Sequence, residues 1–215
     1  MPSHPATGTP GTPPTGDVPD SAPTAPARYY WDDRVAPDGT WRTDPRTGLP
    51  MEPPGQDLAA MRSGLGRGAG TVPALWPFYI TWSDGHASID LEAEHAALSL
   101  FGLHQQGQQQ PMHHPGISAG AALRALRTSG RFSEEAVDRR VAAAANATSV
   151  PALLYRLRAL VTQLRTVGQP LDYTLLLRNI KDWHHPEARR RVRRAWGLAY
   201  HSWGTTPGKG PSTTP

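Results

Sequence analysis

Arginines are concentrated in one stretch near the carboxyl end of the chain. Five of the eight residues from Glu187 to Arg194 are arginine. Pro186 suits the first turn of a helix, and Val192, Trp196 and Tyr200 recur at helical spacing. We therefore predict a helix that buries an aromatic face, which Ala199 and Trp203 would extend, and exposes guanidinium groups, the side chains best suited to binding phosphate.

The position of these arginines is electrostatically unfavourable within an isolated helix. A helix N-terminus carries roughly half a positive charge, so each cation there costs a few tenths of a kcal/mol. Glu187 offsets only part of that cost. A polynucleotide backbone would relieve the repulsion. A solvated arginine-rich face is the alternative, and the stretch alone leaves both interpretations open.

Residue combinations typical of enzymes are hard to find. A metal-dependent nuclease pattern needs an acid two residues before a lysine, but Asn179 and Pro207 precede Lys181 and Lys209 there. The pairs His113-His114 and His184-His185 lack the spacing of a shared helix face and have no carboxylate cluster nearby. We therefore expect no catalytic residues, no metal site and no cofactor, and we disfavour an enzyme.

Glycines alternate with other residues from Gly64 to Gly70. The segment does not match a dinucleotide or phosphate-binding loop, because no strand precedes it and no Gly-Lys-Ser/Thr follows. A flexible helix stop is the favoured interpretation. Arg62 and Arg67 nevertheless flank glycine backbone that a phosphate can approach closely, so both are candidate anion-binding residues.

Charge is unevenly distributed along the 215 residues. Residues 1–57 carry a net charge of −4, residues 58–120 of −2 and residues 121–215 of +10. The carboxyl-terminal half is therefore the part expected to bind a polyanion. Residues 1–27 and 204–215 are rich in proline, threonine and glycine, which predicts disorder.

The chain contains no cysteine, which excludes disulfides and thiolate metal sites. We see no signal peptide and no apolar run long enough to cross a membrane. A soluble cytoplasmic protein that does not contact membranes is the expectation.

Hydrophobic periodicity predicts an all-α fold, a helical bundle protein with two small helical subdomains, and no strand. The subdomains would span residues 28–112 and 113–203, the second being basic. Predicted helices cover 90–106, 118–128, a stretch capped by Ser133, 150–167, a stretch capped by Asp172, and the arginine stretch. Three further features are a short aromatic helix at 28–35, a helix capped by Asp57, and a buried apolar stretch at 73–82 bent by Pro77.

One pair of predicted helices suggests a second kind of DNA-binding protein. The helix ending at Thr128 is followed by Ser129-Gly130 and by a helix bearing Arg139 and Arg140. This order of helix, short turn and helix is found in the helix-turn-helix of a sequence-specific regulator, and equally in a plain helical hairpin. Glu134 and Glu135 begin the second helix and would face phosphates, which argues against its entering a DNA groove.

Several segments, in order and spacing, resemble the CasB family, the small subunit of the type I-E CRISPR surveillance complex Cascade. The basic half contributes Gly116 to Leu123, Ser129-Gly130-Arg131 with Glu134, Leu157-Arg158, Leu171-Asp172-Tyr173, and Leu176-Leu177-Arg178 with Trp183. Gly70 to Pro77, Glu94 to Leu98 and His104 to Gln106 resemble the actinobacterial branch of the family. The resemblance covers about residues 56–203.

The resemblance implies a non-enzymatic, all-helical antiviral protein present as two copies in its complex. Its partners would be the second copy, the large subunit, the backbone subunits, the guide RNA with its target DNA, and the displaced single strand. Basic side chains would hold the DNA strands so that the opened duplex does not re-close. The candidate nucleic-acid-binding residues are Arg62, Arg67, Arg131, Arg158, Arg165, Arg178, Arg189, Arg190, Arg191, Arg193 and Arg194.

Overall fold

A computed structural model describes residues 28–202, which form seven α-helices and one 3₁₀ helix. The helices are α1 (Gly55–Arg62), the 3₁₀ helix (Pro73–Phe78), α2 (Ile89–Gln105), α3 (Ala119–Arg127), α4 (Glu134–Ala145), α5 (Val150–Thr166), α6 (Tyr173–Trp183) and α7 (Pro186–Tyr200). Extended backbone in the described part of the chain is limited to isolated bridges. The predicted all-α class is confirmed. Trp203 and the segments predicted to be disordered lie outside the described residues.

Side-chain caps fix the starts of five helices. The side chains of Ser88, Ser118, Ser133, Ser149 and Asp172 each accept a backbone N–H three residues on. Each such bond satisfies one of the donors that a helix N-terminus leaves free. The predicted caps Ser133 and Asp172 are confirmed. Asp57 is not a cap, because α1 begins two residues earlier, and its carboxylate accepts the Tyr30 hydroxyl at 2.7 Å instead.

Helix α2 lies at the centre of the molecule. Every residue from Ala93 to Gln105 is buried, and α1, α5 and α6 pack around the helix. A helix buried on all sides must bond its own polar side chains within the protein. Glu94, for example, accepts the backbone N–H groups of Ile80 and Thr81 at 2.8 and 2.9 Å. Helix α2 therefore also determines where the loops around it lie.

The segment from Arg28 to Pro54 is a chain of turns, so the predicted short helix is wrong. Isolated antiparallel bridges join Val35 to Trp41 and Thr43 to Pro50. The expected docking of its aromatic residues does occur. Trp31 is fully buried and its Nε1 donates to the Thr174 hydroxyl of α6 at 2.8 Å. That bond ties the amino-terminal segment to the carboxyl-terminal half.

The apolar stretch 73–82 is mostly exposed, which corrects the expectation that it would be buried. Leu75 is buried, but Trp76 and Trp82 are 56% and 81% exposed. Pro77 lacks the N–H group that a regular α-helix would use at that position, and the segment forms a single 3₁₀ helix. Only one of its faces then reaches the core.

The described residues share one continuous buried core that includes Tyr30 in the amino-terminal segment and Tyr200 in α7. Across the predicted subdomain boundary the Leu171 N–H donates to the Met112 carbonyl at 3.1 Å. The boundary between residues 112 and 113 stays a prediction that rests on charge and composition. Within residues 28–202 no helix is both long and apolar enough to cross a membrane.

Close packing of α3 against α7 generates a stability prediction. A Cβ at Gly120 would lie 2.5 Å from the Trp196 carbonyl oxygen, whereas a Cβ at Gly197 would meet no atom within 4 Å. Gly120→Ala should therefore cost about 1–3 kcal/mol of unfolding free energy. Gly197→Ala, the matched control, should be neutral or stabilising by up to about 1 kcal/mol, since alanine favours a helix. Urea denaturation measures both, and equal effects would contradict the close α3–α7 contact.

Buried histidines generate a pH prediction. Burial, with a smaller contribution from Arg165, lowers the pKa of His104 to about 3. Burial likewise lowers the pKa of His113 to about 4, against an opposing effect of Asp172. The unfolded chain takes up protons from about pH 6.5 downward while the folded chain does not, so stability falls as the pH drops.

At pH 5 each of these histidines should have removed about 2 kcal/mol of unfolding free energy relative to pH 7.5. Urea denaturation at the two pH values checks this loss. His104→Gln, compared with wild type at each pH, should lose less stability between them. The same loss in both proteins would show that His104 does not contribute.

Candidate nucleic-acid interface

A groove lies between the glycine turn that follows α1, the middle of α2 and the first half of α5. The groove consists of two adjoining cavities, and the first has a volume of about 470 Å³. The residues lining it are Gly64, Leu65, Gly66, Arg67, Gly68, His95, Ala96, Ser99, Leu100, Pro151, Leu154, Tyr155 and Arg158. No carboxylate is among them, so its charged groups are cationic.

Glycine allows the turn to approach α2 closely. A Cβ at Gly64 would lie 2.4 Å from both Leu75 Cδ1 and Ser99 Oγ, so any other residue there would force these buried side chains to move. Gly66 has a φ of +77°, a conformation that other residues rarely adopt. The prediction that α1 ends at these glycines is therefore correct. The turn is packed onto α2, however, and is not the flexible segment that the sequence suggested.

His95 of α2 holds this turn in place through hydrogen bonds of its ring. Its Nε2 lies 3.0 Å from the Gly64 carbonyl oxygen and its Nδ1 lies 2.7 Å from the Tyr79 hydroxyl. A carbonyl only accepts, so Nε2 carries the proton and Nδ1 accepts from Tyr79. Burial lowers the pKa of His95, which favours this neutral form. The histidine therefore positions the backbone at the groove floor.

A second cavity of about 490 Å³ continues the first. Both are lined by Arg67, Gly68, His95, Ala96, Pro151 and Leu154, and the second extends to Thr148, His184 and Arg189. We call the two together the arginine groove, defined by Arg158, Arg67 and Arg189. The structure thus brings together three of the predicted arginines from a loop and two helices.

Arg67 and Arg158 are the two exposed cations of the groove. Neither side chain has a hydrogen-bond or ion-pair partner among residues 28–202. Arg189 is half-buried and donates to the Thr148 carbonyl at the start of α5. The groove therefore has two guanidinium groups free to bind an anion and a third that is already partly engaged.

Two other predicted arginines are bound within the molecule. Arg193 donates to the Ala147 carbonyl at 2.8 Å and lies over the Trp183 ring, 5.5 Å from its centroid. Arg165 donates to the Leu103 carbonyl at 3.2 Å and to Gln106 Oε1 at 3.0 Å. These contacts join α7 to the α4–α5 loop and α5 to the end of α2, roles that the sequence pattern did not reveal.

The remaining predicted arginines do not line the groove. Arg131, Arg178, Arg191 and Arg194 are exposed without a side-chain partner in the described part of the chain, and Arg62 is half-buried in the last turn of α1. Arg190 forms an exposed ion pair with Glu187 at 3.3 Å. Such a pair contributes little to stability, so Arg190 is readily available to another anion.

Tyr155 is the groove residue that sequence reasoning missed. Its side chain is 81% exposed, although it lines the first cavity. It falls between the apolar positions Leu153 and Leu157 of α5, on the polar face of the helix. A large aromatic outside the apolar stripe was the signal that could have identified it.

Comparison with known proteins decides the family. The family model for the CRISPR-associated protein Cse2 matches residues 57–201. The chain belongs to the Cse2 family. The crystal structure of CasB from Thermobifida fusca is 31% identical to this chain with a TM-score of 0.57, and the match covers 68% of this chain and 84% of that one. The CasB resemblance of the sequence is thereby confirmed.

Another solved chain that resembles this Cse2-family member comes from a CRISPR RNA-guided surveillance complex. It is 21% identical, with a TM-score of 0.51, and the match covers 68% of this chain and 81% of that one. At this identity the likeness shows a shared fold alone. A comparison with the curated proteins finds no match.

The histidines of the two pairs in this Cse2-family chain lie in different surroundings. His113 is buried and its Nδ1 accepts the Tyr173 N–H at 3.0 Å, whereas His114 is partly exposed. His184 Nε2 lies 3.6 Å from Glu92, and His185 is the exposed residue just before α7, where its side chain forms no capping bond. No group of three potential metal-ligating side chains occurs among the residues described.

The first turn of α4, the second helix of the α3–α4 hairpin, is acidic. Arg127 of α3 is bound to Glu134 at 2.7 Å and to Asp138 at 2.9 Å. Glu135 is exposed on the same first turn of α4. A helix that starts with these acids would repel phosphate, so the geometry gives no support to a helix-turn-helix that inserts α4 into a DNA groove.

The two kinds of arginine in α7 should respond differently to mutation. Arg193→Ala removes the Ala147 bond and the contact with Trp183, and should cost about 1–3 kcal/mol of unfolding free energy. Arg191→Ala removes an equal charge from the same helix but no contact, and should change stability by less than about 0.5 kcal/mol. Thermal and urea unfolding measure both. Equal losses in the two variants would contradict the assignment of Arg193 as a structural residue.

Proposed function

We propose that this Cse2-family chain is the small subunit of a type I-E CRISPR Cascade complex and holds DNA strands without cutting them. The observation that carries the proposal is the arginine groove. Its first cavity has two exposed, unpaired guanidinium groups, a glycine backbone open to solvent and no lining carboxylate. This is a surface suited to a nucleic-acid backbone.

Sequence-blind contacts suit the proposed role. An RNA-guided complex reads its target by base pairing, so a subunit that supports the opened duplex must accept every sequence. Exchange of a DNA duplex for an RNA–DNA duplex is nearly balanced in energy, and backbone contacts to the separated strands tip that balance. Arg67 and Arg158, with Arg189 nearby, would supply such contacts to the target or displaced strand.

The exposed arginines of α7 extend the proposed surface. Arg190, Arg191 and Arg194 lie outside the groove lining and, apart from the weak pair with Glu187, have no partners in residues 28–202. A strand longer than the groove would meet further cations there.

The proposed partners are the guide RNA with its target DNA, the displaced strand, a second copy of the chain, and the large and backbone subunits. The acidic amino-terminal half would face protein.

The groove arginines should determine how binding depends on salt. Fluorescence anisotropy of the full-length chain with single-stranded and duplex DNA of unrelated sequences should show sequence-blind, steeply salt-dependent binding. Arg67→Ala and Arg158→Ala should each lower the slope of log affinity against log salt by about one, because each removes one phosphate contact. Arg46→Ala removes an exposed arginine of the amino-terminal segment and should leave the slope unchanged.

Alanine at Arg190, Arg191 and Arg194 together should weaken DNA binding without changing helicity. Slopes that equal wild type in all of these variants would contradict the proposed contacts. Preference for one duplex sequence would favour a sequence-specific regulator instead, and cleavage of DNA in the presence of Mg²⁺ or Mn²⁺ would contradict a non-catalytic role.

Reconstitution tests the assignment to Cascade. Complexes assembled from the large subunit, the backbone subunits and guide RNA should incorporate this chain. With it present, thymines of the displaced strand should stay reactive to permanganate for longer than in complexes that lack it. Failure to co-assemble would contradict the small-subunit proposal.

A further inference from the structure

We propose that the first cavity of the arginine groove takes one unstacked base of single-stranded nucleic acid. The inference rests on the proposed function and adds to it a binding site for the base as well as for the phosphate. Its volume of about 470 Å³ lies within the range typical of small-ligand pockets. A shallow track that binds phosphates alone does not require a cavity of this kind.

The walls of the cavity favour a base over a phosphate. Leu65, Ala96, Leu100, Pro151 and Leu154 contribute apolar surface on three sides. A phosphate placed among them would lose its hydration, which is costly for a charged group. The flat faces of a base are apolar, and its polar edge can bond to glycine backbone or to solvent at the open side.

Tyr155 supplies a stacking surface at the edge of this cavity. Its side chain is 81% exposed, so little of the ring is used for folding. Stacking of bases on aromatic side chains is tolerant of sequence because every base has a π-face. Tyr155 is therefore suited to a protein that must accept every base.

The two free arginines lie on different walls of the cavity. Arg67 belongs to the glycine turn, and Arg158 belongs to α5, one helical turn beyond Tyr155. A base between these walls would place the phosphates on its two sides within reach of the two guanidinium groups. No carboxylate lines this cavity, although Glu92 lines the second one, so the negative charge of a strand is favoured most strongly in the first cavity.

The test uses the full-length chain and single-stranded DNA containing 2-aminopurine, whose fluorescence is quenched when it stacks on an aromatic ring. Wild type should quench the probe and bind an oligonucleotide of base-free sugars more weakly than normal DNA. Tyr155→Ala should lose the quenching and about 5- to 100-fold in affinity, with the salt slope unchanged because no phosphate contact is lost. Tyr155→Phe keeps the ring and should behave as wild type.

Leu198→Ala is the matched control, because Leu198 is a large exposed apolar residue of α7 that does not line the cavity. It should leave quenching and affinity unchanged.

Three other outcomes would contradict the proposal. Salt-dependent binding without quenching, equal for base-free and normal DNA and unaffected by Tyr155→Ala, would overturn the base site while leaving the proposed function intact. Loss of subunit assembly in Tyr155→Ala, with unaltered DNA binding, would show that the cavity receives a protein side chain. Absence of any DNA binding would overturn the proposed function and the base site together.

Discussion

Burial of α2 on every side is the constraint on which the rest of the structure depends. The helix carries polar side chains into the core, and several of them bond to the surrounding loops. Gln105 illustrates this, since its amide donates to the carbonyls of Gln108 and Gln110 and its oxygen accepts the Met112 N–H at 2.8 Å. Glu94 and His95 hold the loops on the other side of the helix in the same way. The arginine groove is therefore built on a rigid floor.

The candidate arginines divide into two groups by what surrounds them. Arg165, Arg189 and Arg193 donate to backbone carbonyls at helix and loop ends. Arg67, Arg158, Arg191 and Arg194 have no such acceptor within reach in the described residues. Contacts within the fold thus account for the first group, whereas the second group is exposed and available to a partner. The proposal of a strand-holding protein concerns the second group.

Local patterns were enough to predict most of the helices. The apolar spacing of α5 and the caps Ser133 and Asp172 depend on residues a few positions apart, and the structure confirms them. The prediction that the stretch 73–82 is buried was wrong. Burial depends on how many faces of the segment reach the core, and apolar composition alone does not show this. The amino-terminal aromatic residues were expected to dock, but the backbone that positions them forms turns rather than a helix.

The candidate site was less predictable than the fold. Its walls come from the glycine turn, α2 and α5, which are far apart in sequence, so no local motif could show that Arg67 and Arg158 line one cavity. Nor could the sequence show that Arg193 is bound within the fold while Arg191 is exposed, because the acceptor of Arg193, the Ala147 carbonyl, lies in a loop distant in sequence. Resemblance to the CasB family indicated a basic surface but not which side chains form it.

Hydrogen exchange of the full-length chain, with and without single-stranded DNA, tests most directly whether the arginine groove binds the strand. The account predicts that DNA slows exchange of the backbone amides in the glycine turn, Gly64 to Gly70, and in the first two turns of α5. Protection confined to α7, or to the acidic segment before α1, with unchanged exchange in the glycine turn, would contradict it.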